Sequence, residues 1–116
     1  MKASLRAVER EILLSFWKIH ILHHAETSPV YGQWVMRELR RHGYDVSPGT
    51  LYPLLARMAE RGWLETCADP KAGIRARRDY VLTPEGKQVL DLVRSQVTEL
   101  YREVVLGEDE DHEKRN

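Results

Sequence analysis

Ser47, Gly49, Thr50, Tyr52 and Arg57 stand at the front of a segment with helical spacing. Lys71, Arg75, Arg77 and Arg78 follow it, within eight positions that hold no acid. Hydroxyls, a phenol and cations in that order suit a polyanion. Short side chains near a helix start let the backbone approach a groove closely, and cations on a following loop neutralise phosphates and release their counterions. The first set alone reads equally well as an ordinary capped helix, and the second alone as a solvated turn. Their adjacency favours a double-stranded nucleic acid.

Other groups could do different chemistry. His20, His23 and His24 fall at i, i+3 and i+4, one helix face and a spacing that metal sites use. Apart from Glu26, nothing nearby in sequence completes a coordination sphere. They read as interfacial or half-exposed imidazoles able to titrate near neutrality, and no metal or other cofactor is expected. Cys67 is the only cysteine, so an intrachain disulfide is excluded and a reducing, cytoplasmic setting fits. It has no evident histidine partner and, on a strand, is expected as a buried inert thiol. There is no glycine-rich phosphate loop and no hydrolase or metalloprotease signature, so the chain is not expected to be an enzyme.

The elements that must position these residues can be read in order. Ser4 to about Glu26 is a first helix, capped by Ser4 and free of glycine and proline. Leu5, Val8, Ile12, Phe16 and Ile19 form one apolar stripe; Leu14, Trp17 and Ile21 lie off it. A helix apolar on most of its circumference needs cover on more than one side, and a second copy of the chain is the expected second cover. After a Thr27-Ser28-Pro29 turn, Val30 to Arg41 reads as a second helix with Trp34, Val35 and Leu39 inward, stopped by Gly43. Ser47 and Pro48 open the third helix, with the Ser47 hydroxyl expected to accept the Thr50 amide. Leu51, Leu54, Leu55 and Met58 form its inner stripe, with Thr50, Pro53 and Arg57 opposite, and Gly62 stops it. Pro53 breaks the helical rule there, at a cost of roughly 3 kcal/mol in an ordinary interior. Trp63 to Cys67 and Arg77 to Thr83 read as two strands joined by a turn-rich basic loop. Thr83 and Pro84 open a long fourth helix, in which Leu90, Val93, Val97, Leu100 and Val104 repeat with spacing 3, 4, 3, 4. That seam packs either on the chain's own first helix or across a two-fold axis; its projection beyond the strands favours the second.

The architecture expected is mostly α with a small β-hairpin: a winged helix-turn-helix over residues 1–83, a C-terminal dimerisation helix over 84–106, and an acidic tail of disordered composition over 107–116. The 116-residue chain carries 18 basic and 18 acidic side chains. The last ten residues hold five of the acids and two of the bases, so the remainder is basic, 16 against 13. No run of about 18 apolar residues suggests a membrane span. The first residues, with Glu9 and Glu11, read as mature protein rather than a signal peptide.

Three ordered blocks, VYGQWVMREL (Val30–Leu39), SPGTLYPLLARMAERGWLE (Ser47–Glu65) and RRDYVLTPEGKQVL (Arg77–Leu90), resemble the PadR family of bacterial and archaeal transcriptional regulators. The resemblance implies an N-terminal winged helix-turn-helix and, as in the short members, a single dimerisation helix. It places the recognition helix at Ser47 to Arg57, a DNA-backbone contact at Tyr52 and the wing at Lys71 to Arg77. Many relatives are repressors released by phenolic or flat aromatic compounds, some bound between subunits. His20, His23 and His24 stand where that helix would be mainly apolar.

The expected function is therefore sequence-specific DNA binding by a homodimeric regulator on a near-palindromic operator, with repression the commoner family outcome. Ser47, Gly49, Thr50, Tyr52, Arg57, Lys71, Arg75 and Arg77 are expected at the DNA. Leu14, Trp17, Ile21, Leu90, Val93, Val97, Leu100 and Val104 are expected at the dimer interface. Any pocket for a small aromatic effector would draw on Trp17, His20 and Tyr101, although Trp17 reads more readily as core or plain interface packing. The rival is a winged-helix module that binds protein without DNA.

Overall fold

The computed structural model describes residues 4–67 and 77–108. Helix α1 (Leu5–Val8), a π-helical turn (Glu9–Leu13) and helix α2 (Leu14–Thr27) follow one another without a break. The Ser4 hydroxyl accepts the Ala7 amide and so caps the start, as expected. Strand β1 (Val30–Tyr31), helix α3 (Gly32–Arg41), helix α4 (Pro48–Glu60), strand β2 (Leu64–Cys67) and strand β3 (Asp79–Leu82) complete the winged core. Helix α5 (Pro84–Leu100) then runs into a second π-helical turn, Tyr101–Val105.

The antiparallel sheet has the order β1-β3-β2, with Val30 opposite Tyr80, and Leu64 to Cys67 opposite Leu82 to Asp79. β1 corrects the sequence reading, which began the second helix at Val30. Two residues become a strand only because β3 lies beside them, and no local periodicity reports such a partner.

Both helices of the helix-turn-helix end in the same device. Gly43 (φ 93°) follows α3, with the Tyr44 amide donating to the Leu39 carbonyl at 3.1 Å and the Gly43 amide to the Arg40 carbonyl at 2.9 Å. Gly62 (φ 83°) follows α4, with Trp63 donating to Met58 at 3.1 Å and Gly62 to Ala59 at 3.0 Å. These are Schellman ends, in which a left-handed residue satisfies the last carbonyls and turns the chain sharply.

The core is built from Trp17, Ile21, Leu22 and Ala25 of α2, Val35, Met36 and Leu39 of α3, Val46, the stripe Leu51, Leu54, Leu55 and Met58 of α4, and Val30, Leu64, Tyr80 and Leu90. Trp17, Ile21 and Leu90 are fully buried within one chain. They have no surface left for a partner, which corrects their expected place in a dimer interface. The two faces of the first helix are in effect exchanged: the side off the main stripe is core, while Leu5, Ile12 and Phe16 are exposed. Cys67, expected buried, is exposed at the end of β2.

α5 is fastened to the core at its first turn. The Thr83 hydroxyl accepts the Gly86 amide at 2.9 Å and donates to the Gly62 carbonyl at 2.5 Å. A Cβ on Gly86 would lie 2.1 Å from the Trp63 carbonyl oxygen and 2.7 Å from Leu82 Cδ1. Further along, Glu26 of α2 receives Lys87 Nζ at 2.7 Å and both Arg94 guanidinium nitrogens at 3.0 and 3.3 Å. Those hydrogen bonds, from Arg94 first and Lys87 second, hold the Glu26 carboxyl down at about 2.

Gly86→Ala tests the fastening by the sign of its effect. Helix propensity alone would stabilise the variant by about 1 kcal/mol. The contact with a backbone carbonyl predicts a loss of about 1–3 kcal/mol instead. Thermal unfolding should therefore show a midpoint lowered by at least about 4 °C; an unchanged or raised midpoint would refute the close approach.

Candidate nucleic-acid interface

The α4 stripe of Leu51, Leu54, Leu55 and Met58 turns inward, and Ser47, Pro48, Gly49, Tyr52, Pro53 and Arg57 are exposed, with Thr50 half-buried. The face predicted from spacing is thus the outer face. Its cap differs from expectation. The Thr50 and Leu51 amides donate to the Ser47 carbonyl at 3.1 and 3.0 Å, and the Ser47 hydroxyl donates to Thr50 Oγ1 at 3.2 Å. With Pro48 lacking a donor, the first turn of α4 keeps few free amides for a phosphate. Pro53 is tolerated because it sits on the exposed side, where solvent can satisfy the Gly49 carbonyl it leaves unpaired.

Tyr52 lies across the start of α3. A Cβ on Gly32 would stand 2.3 to 2.9 Å from the Tyr52 ring and hydroxyl, so the ring occupies the space that any side chain at position 32 would need. Beside it is a depression of about 390 Å³ lined by Tyr31, Gly32, Gln33, Tyr52, Arg77, Arg78 and Tyr80. It joins the outer face of α4, the base of the wing and the N-terminus of α3. No side-chain hydrogen bond caps that N-terminus, whose first residue, Gly32, is buried beneath the Tyr52 ring and whose positive dipole end faces the depression.

The two arginines at the wing base differ. Arg77 Nε stands 3.0 Å from Asp79 Oδ1, and its guanidinium lies 4.1 Å over the Tyr31 ring. Tyr31 Oη in turn accepts from Arg37 at 3.3 Å. Arg77 is held in place rather than free to roam. Arg78 is exposed and makes no ion pair among the described residues. It faces Tyr80, whose phenol is pushed above its usual value by burial, against the pull of the Arg78 charge. Lys71 and Arg75 lie outside the described residues.

The start of α3 is the part of this surface that the sequence reading missed. With the helix begun at Val30, its true N-terminus at Gly32 was hidden. The signal available was the Gly32-Gln33 pair between a β-branched residue and the Trp34, Val35, Leu39 face.

A second surface lies at the other end of the chain. Phe16, Ile19, His20, Tyr44, Val97, Leu100, Tyr101, Val104 and Val105 line an apolar groove of about 370 Å³. His20 and Tyr101, named for an effector pocket, meet there; Trp17 is sealed in the core and does not line it. Of the expected dimer residues, Leu14 and Val93 are half-buried, while Val97, Leu100 and Val104 are exposed. Among the described residues, no three histidine, cysteine or acidic side chains are arranged to hold a metal ion, and no helix is long and apolar enough to cross a membrane.

Comparison with known proteins bears on the family and the fold. Residues 21–92 match the model of the transcriptional regulator PadR-like family. The transcriptional regulator Rv3488 of Mycobacterium tuberculosis is 46% identical over 99 residues, 85% of this chain and 92% of the relative. A PadR-like transcription factor from Bacteroides fragilis superposes with a TM-score of 0.72 at 24% identity, over 88% of this chain and 99% of the other, and so attests the fold. A PadR family transcriptional regulator from Eggerthella lenta reaches a TM-score of 0.66 at 28% identity, over 85% and 90% of the two chains. This chain therefore belongs to the PadR-like family of transcriptional regulators.

Proposed function

We propose that the chain acts in the cytoplasm as a homodimeric repressor that binds a near-palindromic operator. The observation that carries this reading is the shared depression: Tyr52 of α4, Arg77 and Arg78 of the wing and the start of α3 converge on one face. Ser47, Gly49, Thr50 and Arg57 then enter the major groove with α4. The amides of α3, Tyr52, Arg77 and Arg78 take backbone phosphates, and Lys71 and Arg75 extend the grip along the wing.

The second copy covers the apolar groove. Val97, Leu100 and Val104 of one subunit meet Phe16 and Ile19 of the other, and exposed Leu5 and Ile12 extend the contact. Two α4 helices would then stand about one DNA turn, roughly 34 Å, apart. A small aromatic effector seated near His20 and Tyr101 would release DNA by favouring a different spacing of the two subunits.

Selection from a random duplex pool is expected to return an inverted repeat. Binding to it should fall by about three to five orders of magnitude between 50 and 200 mM salt if six to ten phosphates are neutralised. Duplex binding that ignores salt, or none at all, would favour a protein-binding module instead. Arg78→Ala should weaken binding about tenfold and flatten the salt slope by about one contact per subunit, with the dimer intact. Leu100→Glu should yield monomers on sedimentation; an unchanged profile would place the interface elsewhere.

A further inference from the structure

The nucleic-acid reading makes no use of the histidines, and four of them meet at one junction. His20, His23 and His24 lie on α2, and His42 follows α3. Two of them flank Glu38 of α3, whose Oε1 is 3.2 Å from His42 Nε2, 3.7 Å from His24 Nε2 and 2.5 Å from an Arg41 nitrogen, and His23 stands 4.9 Å from His24, ring centre to ring centre. The His20 ring lies between, 4.9 Å from His42 and 6.4 Å from His24, centre to centre. None of the four lines the depression at the DNA face.

We propose that this junction is a proton-operated latch that regulates operator binding. With neutral imidazoles, α2 and the end of α3 stay packed as seen here; with several protonated, the two helices separate and DNA is released. The proposal rests on the nucleic-acid reading above.

Charge capacity supports it. Glu38 is the carboxylate that α3 sets against His24 and His42, and Arg41 already pairs with it. Hydrogen bonding from Arg41 is the first cause holding its carboxyl down at about 2, so it stays ionised throughout the range in which histidines titrate. From α5, Arg94 donates to His23 Nδ1 at 3.1 Å while paired with Glu26, which adds a further cation. Tyr44 and Trp34 meet His20 and His24 edge-on, at 5.8 and 5.0 Å, and neither offers a charge. A first proton can share Glu38; further protons face one another and two guanidinium groups. Burial first, then the neighbouring imidazoles, push His20 below the ordinary 6.5, with Glu38 opposing. Burial first, then His23, does the same to His24, again against Glu38. Because the packed state favours neutral His20 and His24, the stability they contribute is fully present above 6.5 and is lost as pH falls through the lowered values.

The junction is joined mechanically to the DNA face. Arg40, beside Arg41 at the end of α3, donates to the Val46 carbonyl at 2.9 and 3.3 Å. Val46 is buried and precedes Ser47, the cap of α4. Displacing the end of α3 therefore moves the start of α4. On its other side, His20 lines the groove assigned to the second copy.

The test uses the full chain and the selected duplex at fixed ionic strength, from about pH 7.5 to 5.5, with His20→Gln/His24→Gln and, on the more exposed turn, His42→Gln in case the double variant folds poorly. Wild type should lose about tenfold or more in affinity across this range, and the variants no more than about twofold. Trp34 emission, quenched by an imidazolium at His24, should titrate below pH 6.5 in wild type and not in the double variant. Wild type and both variants sharing one binding profile, flat or sloping, would overturn the latch, as would a Trp34 titration with no change in affinity. If no duplex binds at any pH, the nucleic-acid reading fails by itself. Hydrogen exchange at Leu39 to Tyr44 then decides the latch: faster opening at low pH in wild type alone supports it, and equal exchange in all proteins overturns it.

Discussion

The Thr83 hydroxyl is the constraint on which the rest of this structure depends. It accepts the Gly86 amide in the first turn of α5 and donates to the Gly62 carbonyl just beyond α4, so one side chain ties the end of α4 to the start of the projecting helix. The Thr83 amide adds a bond to the Trp63 carbonyl at 3.2 Å. Gly86, pressed on that same carbonyl group, leaves no room for the joint to slide. The joint couples the C-terminal end of α4 to the first turn of α5. In a dimer held together by α5, the angle between the two subunits would be transmitted directly to the two copies of α4.

Much of this was legible in the sequence because it depends on local chemistry. Ser4, Thr83, Pro84, Gly43 and Gly62 mark helix ends through groups within a few residues, and all five act where they were expected to. The inner stripe of α4 was legible for the same reason. What failed depended on distant partners. β1 exists because of Tyr80 and Asp79, some 50 residues away. The burial of Trp17 and Ile21 follows from which side of a helix with apolar residues around most of its circumference meets α3 and α5, a matter that periodicity did not decide. The π-helical turn at Glu9–Leu13 adds to the difficulty, since it shifts the phase of everything before it.

The seam on the last helix shows how two sound alternatives can both be part of the answer. Leu90 is sealed against the chain's own core, Val93 is half-covered, and Val97, Leu100 and Val104 are progressively more open. One heptad pattern therefore spans an intrachain contact and an open groove. Its spacing is continuous because the side chains on both stretches face the same way: Leu90 enters the core, and Val97, Leu100 and Val104 line the groove with Phe16 and Ile19 of α2.

The α4 terminus bears on how DNA would be read. Helix starts attract phosphates through unpaired amides, but Pro48 has none, and the Thr50 and Leu51 amides are already spent on the Ser47 carbonyl. The start of α3, which like that of α4 has no side-chain cap, shares its depression with Arg77 and Arg78, so a phosphate seated there would meet two cations. This divides the labour. α3 and the wing base would fix the register on the backbone, where contacts carry no sequence information. α4, freed from phosphate binding and bare at Gly49, could approach base edges with Ser47, Thr50 and Arg57. Pro53 would fit the same division, since it has no amide to give the Gly49 carbonyl, which would then be free to accept from a base edge.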